Sequence, residues 1–272
     1  MNQANPKVVL AGAGPGDPEL MTMKAMRYLR SADVLIVDRL VDPSLLVHAK
    51  AGARTFFVGK EGGNPNSTSQ DAINQLMISE ARQGQLVLRL KGGDVSFFSN
   101  IFGELETLVA NGIEYEIVPG VTAASGAAAC AGIPLTARGY SASVRFLSYT
   151  RVDVISDETI NELANTDDTL VFYMAAQSLS TLIGRLAIQK IDSEKWVAVV
   201  EQATTPYQKV FTHPFYEFAK VTGGRKFKSP SLVIVGKVAR LYSEFKWMKE
   251  STEEREFFKS VTENNFKSLQ YA

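Results

Sequence analysis

The stretch that most constrains the fold is 87–94, which reads VLRLKGGD. Its apolar residues Val87, Leu88 and Leu90 are typical of a buried strand in an α/β sheet. The two glycines that follow end the strand where a Cβ would collide with a close ligand or require an unfavourable φ. Open α/β sheets bind small molecules at such strand ends. Asp94 therefore has two interpretations, a hydrogen-bond acceptor for a ligand or the cap of the next helix.

A second glycine-rich loop, GAGPGDP at 12–18, follows a short apolar strand. Asp17 and Pro18 suit the N-cap and first turn of a helix that begins near Glu19. The first two glycines have the spacing of the dinucleotide-binding fingerprint, but the third, Gly16, comes one residue too early. Asp17 would also place a carboxylate where a pyrophosphate should bind. We therefore predict a rigid loop that contacts a ligand without holding a phosphate.

Charged residues follow two other predicted strands of the first half. Asp38 and Arg39 follow DVLIV at 33–37, and Lys60 follows a strand at 55–58. Because parallel strands end at one edge of a sheet, we expect these side chains to lie near Lys91 and Asp94. For Asp38 and Arg39 taken alone, an exposed ion pair without a function is the alternative.

The remaining pattern alternates strands and helices in two halves. Further helices are predicted over 20–31, 70–83 and 104–111, with a strand over 114–118. Pro119 and Gly120 mark a hinge, and a helix rich in small residues follows over 121–132. Predicted strands of the second half lie at 143–148, 170–174, 196–200, 209–212 and 231–235. Its predicted helices lie at 160–164, 179–189 and 215–221.

This organisation predicts an α/β fold in two domains. We expect an N-terminal α/β domain over 1–118, a C-terminal α/β domain over 119–242 and a helical tail over 243–272. The sequence EQATTP at 201–206 follows a strand and is interpreted as a functional loop.

Composition narrows the classes of function. Lysine plus arginine and aspartate plus glutamate both total 29, so there is no overall basic charge to attract nucleic acid. The single cysteine, Cys130, rules out an intrachain disulfide, and with His48 and His213 it makes a poor ligand set for a metal. We expect a cytoplasmic protein, since the sequence shows neither an export signal nor a membrane-spanning apolar segment.

Eight segments in order along the chain resemble the tetrapyrrole methylase family. They are GAGPGDPEL, VDRLV, VGK, RLKGGD, VPGVTAASGAAACAGIPLT, VFYMA, EQATTP and SPSLVIVGKV. The resemblance covers about 7–241, and eight ordered motifs are far more specific than any single one. Within the family the sequence is most similar to the uroporphyrinogen-III C-methyltransferases.

The resemblance implies two α/β domains of the tetrapyrrole methylase type, with the active site in the cleft between them, and assembly as a homodimer. It also implies S-adenosylmethionine as the methyl donor. By this likeness, the residues that contact it are Pro15, Gly92, Gly93, Asp94, Phe97, Thr122, Ala123, Met174 and Ala203.

The resemblance assigns roles to charged residues as well. Asp38 matches the position of a proton acceptor, and Lys60 that of a proton donor. Arg39 and Arg138 match positions that hold the carboxylates of the substrate. These residue types suit methyl transfer to an electron-rich ring carbon, which requires alignment of two reactants and then removal of a proton. No metal is required.

One departure from the family pattern follows the GGD segment. Asn100 occupies the substrate-binding position where family members usually have an arginine, and Gly103 that of a glutamate. An amide cannot replace a guanidinium that pairs with a carboxylate. Three interpretations remain open: another cation such as Arg145 or Lys91 serves instead, the substrate is a different tetrapyrrole, or the protein binds without turnover.

The leading hypothesis is methylation of uroporphyrinogen III to precorrin-2, on the route to sirohaem and corrinoids. The alternatives are methylation of a later corrin precursor or of a target that is not a tetrapyrrole, a dinucleotide-dependent oxidoreductase suggested by Gly12 and Gly14, and a tetrapyrrole carrier without catalytic activity.

Overall fold

The computed structural model describes residues 7–58, 68–151 and 154–258. These residues divide into two compact units, one of 7–122 with Phe258 and one of 123–257. The predicted domain boundaries stay a prediction. In the described part of the chain, no helix combines the length and apolar character needed to cross a membrane.

The first unit contains a five-stranded parallel sheet in the order β3-β2-β4-β1-β5. The strands are β1 Val8–Gly12, β2 Val34–Asp38, β3 Arg54–Val58, β4 Val87–Lys91 and β5 Tyr115–Val118. The helices are α1 Met23–Leu29, α2 Gln70–Arg82 and α3 Ile101–Ala110, with 3-10 turns at Pro18–Leu20 and Pro43–His48. Apolar clusters cover both faces of the sheet, as the near-continuous apolar strands predict.

The predicted strands of this unit are confirmed to within a residue or two, but two helix bounds are wrong. Asp17 caps a 3-10 turn and not the α-helix. Its carboxylate accepts a hydrogen bond from the N–H of Glu19 at 2.9 Å. The α-helix begins later, where the Thr22 hydroxyl accepts from the N–H of Ala25. The helix predicted from residue 104 begins at Ile101 instead.

The second unit contains a mixed sheet in the order β6-β7-β10-β8-β9. Only β6 and β7 are parallel to each other, and the other pairs are antiparallel. The strands are β6 Val144–Ser148, β7 Thr169–Tyr173, β8 Trp196–Glu201, β9 Lys209–Pro214 and β10 Ser231–Gly236. The helices are α4 Ala123–Ala131, α5 Asp157–Asn165, α6 Leu179–Ile188, α7 Phe215–Thr222 and α8 Tyr242–Phe245, with 3-10 turns at Ala176–Ser178 and Lys237–Leu241.

The small residues of α4 serve packing. Ala124, Ala127 and Ala131 are buried in one apolar cluster with residues of the sheet, including Val200 and Ile234. Side chains without a γ-carbon allow the helix axis to approach the sheet closely. Packing against the sheet therefore explains why this face of α4 consists of small residues.

The prediction of a helical tail is wrong over 246–258, where the chain is not helical after α8 ends at Phe245. This segment has few apolar residues to form a helical face and is held by polar contacts instead. Nε2 of Gln202 donates to the carbonyl of Arg255 at 2.9 Å, and the N–H of Phe257 donates to Oε1 of Gln202 at 2.6 Å. Glu254 binds the ammonium groups of Lys209 and Lys228.

Acidification is expected to release this segment. Hydrogen bonds from Lys209 and Lys228 lower the pKa of Glu254 from its usual 4.5 to about 2. Because the pKa is lower in the folded protein, the contact stabilises the segment above about pH 4.5 and is lost as the pH falls towards 2. Hydrogen exchange at Phe257, corrected for the intrinsic rate, should therefore accelerate over that range.

The variant Glu254→Gln should show fast exchange already at neutral pH, because an amide binds two lysines weakly. Glu253→Gln is the matched control, since Glu253 pairs only with the neighbouring Arg255 among the described residues. Exchange at Phe257 that is slow and independent of pH in Glu254→Gln would contradict this account.

Candidate active site

The glycine-rich loops of the first unit pair with each other through their backbones. The N–H of Ala13 donates to the carbonyl of Lys91 at 2.8 Å. Gly14 and Gly93 exchange two hydrogen bonds, with the N–H of Gly93 donating at 2.7 Å and that of Gly14 at 3.2 Å. The ends of β1 and β4 thus form one rigid platform at the carboxyl edge of the sheet.

The glycines are required by this contact between backbones. A Cβ at Gly12 would lie 2.4 Å from the carbonyl oxygen of Gly93, and a Cβ at Gly120 would lie 2.3 Å from the same oxygen. A Cβ at Gly92 would lie 2.6 Å from the carbonyl oxygen of Leu40. Gly93 itself has a φ of 68°, in the left-handed region. The groups that these Cβ atoms would strike belong to the protein's own backbone.

Asp94 is buried beneath the platform, and both of its carboxylate oxygens accept backbone hydrogen bonds. The N–H of Ser96 donates to Oδ1 at 2.7 Å, and the N–H of Gly120 donates to Oδ2 at 2.8 Å. The structure contradicts the capping interpretation, because the bond to Ser96 closes a turn and the next helix, α3, begins only at Ile101. The bond to Gly120 ties this turn to the chain after β5. The assignment of Asp94 as a contact of S-adenosylmethionine stays a prediction.

The variant Asp94→Ala is expected to lower the free energy of unfolding by about 2 to 4 kcal/mol, because each of two orphaned backbone donors costs about 1–2 kcal/mol. Urea denaturation measures this loss. Asp94→Asn is the control: its amide oxygen still accepts one of the two bonds, so a smaller loss is expected. An unchanged unfolding midpoint in Asp94→Ala would contradict the structural role.

Two of the predicted charged residues belong to a row of four buried or half-buried charges. Nη2 of Arg89 donates to Oδ1 of Asp38 at 2.7 Å, and Nε of Arg89 donates to Oε1 of Glu104 at 3.0 Å. Nζ of Lys91 donates to Oε2 of Glu104 at 2.8 Å. The charges alternate along the row, so each buried ion has an opposite neighbour, as burial requires. We call this set, Asp38, Arg89, Glu104 and Lys91, the charge row.

Burial acts differently on the two cations of the charge row. It opposes the charge of Arg89, but the attraction of Asp38 and Glu104 outweighs it and raises the pKa of Arg89. Burial lowers the pKa of Lys91, and repulsion from Arg89 adds to that shift while Glu104 opposes it. Lys91 is therefore enclosed and paired, which contradicts its proposed role as a replacement for the missing arginine. The other suggested replacement, Arg145, pairs with Asp168.

The interpretation from the sequence missed Arg89 as the partner of Asp38 and Glu104 as the second partner of Arg89. The signal was present at Arg89, since a charged residue within a buried apolar strand requires a partner. Arg89 is 2% exposed and Glu104 is fully buried. No feature of the sequence indicates that Glu104, on α3, supplies that partner.

Asn100 lies at the start of α3 in the left-handed region, with φ 59° and ψ 33°. Asparagine is among the few residues other than glycine that adopt this conformation readily. Its Nδ2 donates to Oε1 of Gln70 at 3.3 Å, and Nε2 of Gln70 donates to Oε1 of Glu104 at 3.5 Å. The departure from the family pattern is thus linked, through one glutamine, to the charge row.

The loop before Asn100 and the first turn of α3 present exposed aromatic side chains. Phe97, Phe98 and Phe102 are 39%, 42% and 70% exposed. Phe98 also has a positive φ of 51°. Non-glycine residues in this region cost free energy and occur disproportionately at functional sites. This loop therefore offers an apolar, aromatic surface beside the platform.

The remaining predicted residues of the first unit are placed as follows. Pro15 is buried in the loop after β1, and Thr122 is half-buried at the end of the unit. Nη1 of Arg39 donates to the carbonyl of Phe258 at 3.5 Å, so part of its guanidinium contacts the C-terminal segment. Lys60, the predicted proton donor, lies outside the described residues.

In the second unit, the start of α4 is hydrogen-bonded to the residue before Met174. Ala123 begins α4, and the next N–H, of Ala124, donates to Oη of Tyr173 at 3.1 Å. Met174 follows Tyr173 at the end of β7, is 48% exposed and has a φ of 58°. Tyr173 thus links the start of α4 to the end of β7, where Met174 is exposed.

Ala203 is buried in the loop after β8 between two strained residues, Gln202 with φ 47° and Thr204 with φ 68°. The N–H of Thr204 donates to Oε1 of Gln208 at 2.8 Å, which fixes the loop. Arg138 is exposed and lines an open cavity of about 710 Å³. The residues that line this cavity do not include the loop of Ala203.

The model of the family described as Tetrapyrrole (Corrin/Porphyrin) Methylases matches residues 7–219, which is more than half of the chain. The chain belongs to this family. Among solved structures, this methylase matches a cobalt precorrin-4 methyltransferase with a TM-score of 0.76 at 25% identity, covering 85% of this chain and 95% of that one. It also matches a Thermus thermophilus uroporphyrin-III C-methyl transferase complexed with S-adenyl homocysteine, with a TM-score of 0.72 at 33% identity, covering 86% and 99%.

Curated relatives of the tetrapyrrole methylase are longer proteins. A siroheme synthase of Vesicomyosocius okutanii is 41% identical over 240 residues, which cover 88% of this chain and 51% of that protein. Siroheme synthase 3 of Aeromonas hydrophila is 42% identical over 246 residues, covering 90% and 52%. The chain spans about half the length of the curated relatives that it matches.

Proposed function

We propose that this protein methylates ring carbons of uroporphyrinogen III with S-adenosylmethionine as the methyl donor, giving precorrin-2. The observation that carries the proposal is the 33% identity to the uroporphyrin-III C-methyl transferase, whose structure contains S-adenyl homocysteine. Membership of the family favours this function over the dinucleotide-dependent oxidoreductase. Only methyl transfer is proposed, because the siroheme synthases are about twice as long.

The chemical groups that these residues present are of the types that bind S-adenosylmethionine. The first turn of α4 carries backbone N–H groups that suit a carboxylate. In the second unit, the half-exposed side chain of Met174 offers apolar surface for an adenosine group. When bound, S-adenosylmethionine supplies an electrophilic methyl group to an electron-rich ring carbon. The family resemblance then assigns the contacts given above to residues of each unit.

After methyl transfer, the macrocycle carries a positive charge and must lose a proton. The methylated carbon has four carbon substituents and no hydrogen, so the proton leaves from a neighbouring position of the macrocycle, and Asp38 is the group that we assign to accept it. Asp38 is half-buried at the end of β2, with Oδ1 held by Arg89. A carboxylate whose orientation is fixed in this way is suited to the role of a general base. Arg39 and Arg138 are assigned to the carboxylates of the substrate, which guanidinium groups bind well. We assign proton donation to Lys60.

The test is to incubate the purified protein with uroporphyrinogen III and S-adenosylmethionine, and to follow precorrin-2 by absorbance and S-adenosylhomocysteine by chromatography. We expect both products. Absence of S-adenosylhomocysteine would contradict the proposal. Size-exclusion chromatography of the same sample tests the homodimer, which we propose on the basis of the resemblance alone.

A second candidate is methylation of a later corrin precursor. The match to the cobalt precorrin-4 methyltransferase, with a TM-score of 0.76, favours it, as does Asn100 in place of the usual arginine. A competition assay with both macrocycles present separates the candidates by the mass of the methylated product. If only the corrin precursor is methylated, that compound replaces uroporphyrinogen III as the proposed substrate.

The variant Asn100→Arg tests the departure from the family pattern. We expect turnover on uroporphyrinogen to be kept or raised, because a guanidinium is restored near the substrate. The left-handed backbone should cost about 1 kcal/mol of stability for arginine. Steady-state kinetics and thermal unfolding measure the two effects. Asn100→Gly is the control, as it accepts the backbone conformation without adding charge; a folded but inactive Asn100→Arg would mean that the site requires the amide.

A further inference from the structure

The guanidinium of Arg89 is engaged on all sides within the first unit. Nε donates to Glu104 at 3.0 Å. Nη1 donates to the backbone carbonyls of Ile36 and Leu90 at 3.2 and 3.4 Å. Only Nη2 is directed to Asp38, at 2.7 Å. Arg89 therefore cannot form a two-pronged pair with Asp38, because Glu104 and two carbonyls occupy its other nitrogens.

This arrangement holds Asp38 by one oxygen. Oδ1 receives the hydrogen bond of Arg89, while Oδ2 has no hydrogen-bond partner among the residues that the structure describes. The side chain of Asp38 is 29% exposed, whereas that of Arg89 is 2% exposed. One oxygen is therefore fixed from the protein interior, and the other is left on the accessible side.

The rest of the charge row keeps Arg89 in this position. Glu104 is fully buried on α3 and takes the Nε bond, and Lys91 balances the charge of Glu104 through a bond of 2.8 Å. Arg89 lies between two carboxylates on two different elements, β2 and α3. Its orientation is therefore set by α3 and by the carbonyls of β2 and β4.

We propose that Arg89 is a positioning residue for Asp38, and that Glu104 limits Arg89 to a single hydrogen bond with Asp38, so that Oδ2 of Asp38 stays available to accept the proton of the substrate. This inference rests on the proposed function, which makes Asp38 the base. Neither Arg89 nor Glu104 contacts the substrate in this account; both act through the orientation of one carboxylate.

The kinetic test uses Arg89→Lys, which keeps the charge but cannot span Asp38 and Glu104 with a planar fork. We expect kcat to fall about 10- to 100-fold, of the order found for misplaced catalytic groups. The KM for the tetrapyrrole and the Kd for S-adenosylhomocysteine should stay within about twofold, since a merely structural defect would change them as well. Arg54→Lys is the matched control. Arg54 lies on β3 and forms a salt bridge with Glu80 of α2, so this variant should leave kcat unchanged.

A double-variant cycle decides whether Arg89 acts through Asp38. If it does, Asp38→Asn combined with Arg89→Lys should be no slower than Asp38→Asn alone, because the carboxylate that Arg89 orients is already gone. The proposal would be overturned if kcat of the double variant were reduced by the product of the two reductions measured for the single variants. Arg89→Gln, which leaves the Glu104 and Lys91 charges balanced, replaces Arg89→Lys if the latter does not fold.

A measurement without substrate separates this inference from the proposed function. In protein labelled with ¹³C at aspartate carboxyls, the Asp38 signal is assigned by its loss in Asp38→Asn. We expect this signal to move in Arg89→Lys and to stay in place in Arg54→Lys. An unmoved signal would overturn the positioning role even in an active enzyme, whereas a moved signal in a protein without turnover would support that role and remove the proposed function.

Discussion

Replacement of Asp38 by asparagine is expected to lower kcat by about 10²- to 10⁴-fold, the contribution typical of a positioned general base. The amide cannot accept the proton that the macrocycle releases after methylation. Its carbonyl can still accept the hydrogen bond of Arg89, so the charge row and the fold should remain. Methyl transfer measured by S-adenosylhomocysteine release gives the rate, and calorimetry with S-adenosylhomocysteine checks that binding is kept.

Asp71→Asn is the matched control for this change. Asp71 is an exposed carboxylate in the first turn of α2, and its replacement should leave kcat within about twofold. An Asp38→Asn variant that keeps a tenth or more of the wild-type rate would contradict the assignment of Asp38. The base would then have to be sought elsewhere.

The variant Gly12→Ala is expected to lower the free energy of unfolding by about 3 kcal/mol, at the upper end of the usual cost of overpacking. Its Cβ would lie 2.4 Å from the carbonyl oxygen of Gly93 and 2.8 Å from Cα of Gly120. These are backbone atoms, which cannot rotate away as a side chain can. Because the platform would have to separate, we also expect weaker binding of S-adenosylhomocysteine.

Gly103→Ala is the control in the same unit. Gly103 lies within α3 with open space around the position of a Cβ, so alanine should stabilise the helix by about 0.5–1 kcal/mol. Urea denaturation of both variants gives the comparison. If the two glycines respond alike, the close contact at Gly12 is not what requires glycine there.

The strands and their charged ends were predictable from the sequence because the signals are local. Apolar runs of five residues followed by glycine or charge gave the position of each strand within a residue or two. The bounds of α3 and the course of the tail were not predictable in this way. Asn100 adopts a left-handed conformation that no periodicity reveals, and the tail is fixed by a glutamine distant in sequence.

Several residues of the candidate site were predictable from the sequence, but the contacts between them were not. The sequence placed Lys91 at the rim as a cation available to a ligand, whereas the structure buries it against Glu104. Arg89 and Lys91 are two residues apart on one strand and so lie on the same face of the sheet. Which helix covers that face depends on tertiary packing, and a single sequence does not specify it.

The strand order of the second unit has a consequence for synthesis on the ribosome. Its central strand, β10, is the last of the five along the chain and joins β7 to β8. Until Ser231–Gly236 leaves the exit tunnel, β6 with β7 and β8 with β9 remain separate ribbons, each with an unpaired edge. The first unit has all five strands within 8–118 and is not delayed in this way. A pause in translation before residue 231 would therefore prolong the exposure of this half to chaperones and to aggregation.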